Sequence, residues 1–155
     1  MVRIPPASLI AAAGLAAALA APTRAATSDA CALLTAAQVG AALGAPVEAG
    51  KPITPTDHKV CTWAGGKAGF VTLMLQTAAS FDAAKRQAPD LKGAVSVTPV
   101  AGLGDGAMFV GMGDNTGLVV KKGALSFKVA VYQHTTIDKK QAAEKTLAVQ
   151  ALSKL

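Results

Sequence analysis

An apolar run at 118–121 and a run of alternating side chains at 125–132 are separated by the turn Lys122-Gly123, and this pair points to an antiparallel sheet. In the second run Leu125, Phe127, Val129 and Val131 share one face, while Ser126, Lys128, Ala130 and Tyr132 share the other. Successive side chains on a strand point to opposite sides, so the first set is expected in the core and the second in water. Upstream, 108–110 precedes the turn residues Gly113-Asp114-Asn115-Thr116-Gly117, and Val95-Ser96-Val97 precedes the bend Gly102-Leu103-Gly104-Asp105-Gly106. These segments predict an antiparallel meander. A second set of strands is expected at Val60-Cys61-Thr62-Trp63 and at 70–76, joined by a turn at Gly65-Gly66-Lys67 and preceded by an irregular loop holding Pro52 and Pro55.

Helices are marked at three places. Thr35 and Gln38 have the spacing of a capping box, Leu34 and Val39 that of a hydrophobic staple, and Gly44 and Pro46 supply the stop. A short middle helix is expected with Ser80 as its cap and Asp82 in its first turn, ending before Pro89. The last helix is expected from Asp138, with Gln141 completing a second box, and Leu147, Ala148, Ala151, Leu152 and Leu155 form one apolar stripe at 100° per residue. The fold class is therefore α+β: an antiparallel sheet of six to seven strands with an N-terminal, a middle and a C-terminal helix packed on it.

The N-terminus has a different character. Arg3 is followed by an apolar run over 9–21, then by Pro22 and the small residues Thr23 and Ala25. This is the pattern of a secretory leader, and the run is shorter than the roughly 20 residues a membrane helix needs. Residues 1–25 are expected to be a cleavable signal peptide and 26–155 a single domain, which would hold no integral membrane segment after cleavage. Cleavage after Ala20 is the alternative. Loss of Arg3 and Arg24 lowers the formal charge from +6 to +4, and the lysines lie singly or in pairs without aromatics among them. Nucleic acid is not expected as a partner.

Cys31 and Cys61 are an even complement, and in an exported chain that argues for a disulfide. A metal site would need further ligands, and only His58 is near in sequence. A lipid on Cys31 is disfavoured because polar Ser28 and Asp29 separate it from the apolar run. The chain is expected to be exported, as a periplasmic or extracellular protein.

Cys31-Ala32-Leu33-Leu34-Thr35, Cys61-Thr62-Trp63 and Gly102-Leu103-Gly104-Asp105-Gly106-Ala107 together resemble a family of small exported proteins, many of them actinobacterial lipoproteins, grouped as a domain of unknown function. The resemblance covers residues 31–155. It implies an extracytoplasmic α+β domain, a bridge between the two cysteines and no assigned catalytic residues. This chain departs from the lipoprotein members in lacking a cysteine directly after the apolar run.

Candidate sites are few. Asp105 lies in a glycine-rich bend that could serve an anion or a cation, but a strand follows it where a phosphate loop would have a helix, so a tight turn is the plainer reading. His58 and His134 are the only histidines, and neither stands in a sequence context that supplies a nucleophile and an orienting acid. Trp63 is expected to pack beside the bridge, on the face of Cys61. Tyr132, on the face expected to be wet, is the better contact for a partner, with His134 close behind it. Glu144 projects near the centre of the last helix's apolar stripe. It is expected to lay its stem along the stripe and pair with a lysine, the other reading being a buried acid serving a pocket. No catalytic, cofactor-binding or metal-binding residue is assigned and no cofactor is expected. The reading that follows is a non-catalytic binding or interaction domain with a protein or small-molecule partner in the cell envelope. A small periplasmic hydrolase or transferase using His58 or His134, and a secreted enzyme inhibitor, are the alternatives.

Overall fold

The computed structural model describes residues 29–91 and 93–155, and the expected leader lies outside the described residues. A 3-10 turn at Ala30–Ala32 leads into α1 (Ala36–Leu43), followed by β1 (Lys51–Thr54), β2 (Asp57–Ala64) and β3 (Phe70–Thr77). Then come α2 (Ala78–Gln87), β4 (Ser96–Val100), β5 (Gly106–Met112), β6 (Asn115–Lys122), β7 (Leu125–Tyr132) and α3 (Ile137–Leu152). The strands form one antiparallel sheet in the order β1-β2-β3-β7-β6-β5-β4. After β3 the chain crosses through α2 to the far edge and returns strand by strand, so β7 closes the sheet against β3. The meander and the α+β class are as the alternation predicts.

Helices cover both faces. Val39 and Leu43 of α1 and Leu147, Ala148 and Ala151 of α3 pack with Val71, Leu73, Leu118, Phe127, Val129 and Val131 in the main core. On the opposite face Phe81 of α2 meets Met108 and Val119 in a smaller cluster. This second layer changes the expectation for the outer face of β7. Ser126 and Ala130 are buried there, with Ser126 Oγ donating to the Thr77 carbonyl at 2.8 Å beside the start of α2.

Local signals explain where the helices start. The capping box on α1 forms, with Thr35 Oγ1 accepting from the Gln38 N–H and Gln38 Oε1 accepting from the Thr35 N–H, and Gly44 closes the helix at a φ of 70°. α2 begins earlier than Ser80 suggests: Thr77 is the cap, and its Oγ1 accepts from the Ser80 N–H. Thr77 ends β3 in extended conformation, so strand runs into helix with no intervening loop. At α3 the cap position is Thr136 and no side chain caps the helix, so the box expected at Asp138 and Gln141 is not made. The proline-rich stretch before β2 is also more ordered than expected, since Pro52 pairs opposite Cys61 in the edge strand β1.

Cys31 and Cys61 form a disulfide. Trp63 is buried next to it: a methyl group placed on Gly50 would stand 2.6 Å from Trp63 Nε1 and 2.7 Å from Cys61 Sγ. The chain passes over the indole and the sulfur there with room for a hydrogen only. Among the described residues no helix is long and apolar enough to cross a membrane.

Candidate functional site

The ladder between β6 and β7 is regular from Lys122–Leu125 to Leu118–Val129 and then stops. Continued in register, it would set Thr116 opposite Val131, and the Thr116 carbonyl would accept the Val131 N–H. β6 instead stays with β5 through Met112–Asn115 while β7 stays with β3 through Phe70–Tyr132, so the two strands part at this end of the sheet. A buried backbone donor left there must find another acceptor. Glu144 of α3 provides it, its Oε1 accepting from the Val131 N–H at 3.1 Å.

Glu144 is fully buried, and among the described residues no lysine lies within 4.0 Å of its carboxylate, so the lysine pairing expected from sequence does not form. The stem does lie in the apolar stripe, but the strands have parted just where its head arrives, and the backbone takes the place of a cation. Burial pushes the pKa of this carboxyl up to about 7, against the opposing pull of the Val131 N–H, the Thr116 hydroxyl and the charges of Lys128 and Lys140. Neither Glu144 Oε2 nor Thr116 Oγ1 closes a hydrogen bond of ordinary geometry.

One turn earlier on α3, Lys140 is also buried, at 6% exposure. Its Nζ donates to the Asp114 carbonyl at 2.6 Å, which ties the β5–β6 turn to the helix. Lys140 and Glu144 continue the inward period of Leu147, Ala148 and Ala151 toward the N-terminus of α3. That continuation was the signal in the sequence, since a lysine followed four residues later by a glutamate on a core-facing stripe cannot both reach solvent.

Outside this buried pair lies a cleft of about 650 Å³. Four segments meet there: the loop Gly66 to Gly69 with the start of β3, the β5–β6 turn at Asp114 and Asn115, the end of β7 with Gln133 and His134, and Lys140 of α3. Gly69 lets the first segment approach, because its φ is 98° and a Cβ on it would fall 2.0 Å from the Tyr132 carbonyl oxygen. The rings of Phe70 and Tyr132 then stack at 4.5 Å with their planes 15° apart, leaving Phe70 41% exposed. On the other side Gln133 Nε2 donates to the Leu43 carbonyl and fixes the start of the β7–α3 connection against the end of α1.

The structure thus brings Tyr132 and His134 into one cleft. Asp105 is elsewhere: its Oδ2 accepts from the Gly123 N–H at 2.6 Å, and its carboxylate lies 3.7 Å from Lys122 Nζ across the β6–β7 turn. That N–H holds its pKa below the usual carboxylate range, with the lysines adding to the effect. His58 is elsewhere again, 3.8 Å from Asp29 near the disulfide. Among the described residues no three His, Cys, Asp or Glu side chains converge as metal ligands. A larger hollow of about 800 Å³ between the end of α2 and β4 is lined by small and apolar residues, with Lys85 its one charged side chain among the described residues.

No family model, curated protein or solved structure matches the chain.

Proposed function

We propose that this chain is an exported, non-catalytic binding domain of the cell envelope, and that it binds a small molecule in the cleft where β6 and β7 part. Export is supported by the leader pattern of residues 1–25 and by the disulfide, a bond that persists in oxidising compartments. The likeness to small exported domains of unknown function supports the same compartment. The observation that carries the binding reading is the cleft itself, in which a stacked, partly exposed aromatic pair stands beside polar side chains from separate segments. Ligand sites are concave surfaces of this kind, apolar in body with a few fixed polar groups.

A fragment screen against the 15N-labelled exported protein tests this. Binding fragments are expected to move the amide resonances of 66–70, 114–115 and 132–134, and Tyr132→Ala is expected to weaken them. Shifts that gather at the α2–β4 hollow, or a Tyr132→Ala protein that binds as well as the parent, would overturn the assignment.

A further inference from the structure

The cleft has one polar group that is built in rather than displayed. Lys140 retains 6% exposure, and among the described residues its ammonium makes one hydrogen bond, to the Asp114 carbonyl. An ammonium carries three N–H donors. No carboxylate among the described residues lies within 4.0 Å of Nζ, although Glu144 is one helical turn away. An ammonium so placed keeps donors available to an acceptor from outside the chain. The side chain lines the cleft, so such an acceptor enters by that route.

We infer that the ligand of this cleft is a small carboxylate with an apolar or aromatic body, its carboxylate seated at Lys140 Nζ and its body against the Phe70–Tyr132 pair. The inference rests on the binding reading above and deepens it. Lys67 on the facing loop adds a second cation at the mouth. Asp114 at the rim opposes the entry of a multiply charged group, which favours one negative charge over the two of a phosphate monoester. The aromatic pair presents ring surface suited to an apolar body, since its stacked rings leave Phe70 partly open.

Titration of the 15N-labelled exported protein with benzoate, benzamide and phenyl phosphate tests this, because the three share a ring and differ in the head. Benzoate is expected to shift 66–70, 114–115 and 132–134 saturably, with benzamide at least about tenfold weaker, as the loss of a hydrogen bond between two charges implies. Lys140→Met, which keeps the apolar stem, is expected to abolish the preference for benzoate while benzamide binds as before. Lys140→Arg is expected to retain it, and the parent's own ranking of the three probes stands whether or not the Met protein folds. Equal binding of benzoate and benzamide in the cleft would overturn the carboxylate assignment and leave the binding cleft intact. Tighter binding of phenyl phosphate would transfer the site to phosphate esters. Failure of all three to perturb the cleft would overturn both readings.

Discussion

Glu144 ionises in the folded protein near pH 7, whereas the same carboxyl in an unfolded chain ionises near 4.5. Between those values the folded molecule holds a proton that the unfolded one has released. Stability therefore falls as pH rises through this window, and the penalty is complete above it, on the order of 3 kcal/mol. The groups that bear on this carboxyl are Thr116 of β6, the Val131 N–H and Lys128 of β7, and Lys140 of α3 itself. Glu144→Gln keeps an oxygen for Val131 and removes the charge. Urea unfolding at pH 5, 6, 7 and 8 is expected to show the parent losing stability relative to the Gln protein with rising pH, and the Gln protein the more stable of the two at pH 8. Parallel profiles would contradict this account of Glu144. A second residue-scale prediction concerns Gly50, where a side chain would strike Trp63 and Cys61. Gly50→Ala is expected to cost about 1–3 kcal/mol, measured by chemical denaturation, because neither the indole nor the bridged sulfur can swing away.

At the scale of elements, α1 is eight residues long and depends on its ends. Thr35→Ala removes the side-chain half of the capping box, and the expected loss is about 1 kcal/mol in the denaturation midpoint with the slope unchanged. That helix was legible because Thr35, Gln38, Leu34 and Gly44 all point to the same boundary. The start of α2 was less so. Thr77 and Ser80 are both good cap residues, and the choice between them depends on where β3 loses its partner Leu125, a fact of pairing that the sequence does not state. The outer face of β7 was misread for a related reason: its alternation is plain, but α2 crosses to the far edge over the same face and buries Ser126. The site was the least legible part. Tyr132 and His134 stood out by rarity, whereas Lys140 was one of several lysines lying singly or in pairs, and Glu144 looked like an acid that would find a lysine. The stripe of α3 points both residues inward, but only the parting of β6 from β7 gives Glu144 its backbone partner.

For the whole molecule, the disulfide closes a loop with a sequence separation of 30 that contains α1 and β1 and fastens both to β2. In the chain-entropy description such a loop contributes about 3.5 kcal/mol. Replacing both cysteines with alanine is expected to lower stability by about that amount in urea unfolding. Hydrogen exchange is expected to rise first over 30–47, while β3 and β7 at the centre of the sheet stay protected. Exchange that rises first in β7 would show that the bridge supports the centre of the sheet rather than its margin.

The sheet is open, and its two outermost strands are β1 and β4. Each carries a proline, Pro52 in one and Pro99 in the other, and an edge strand is where a sheet tolerates one, because the nitrogen can face outward. A proline has no N–H to give, so an incoming strand would meet a gap in the donors on either margin. The lateral growth by which an open sheet recruits further copies is thereby discouraged at both ends.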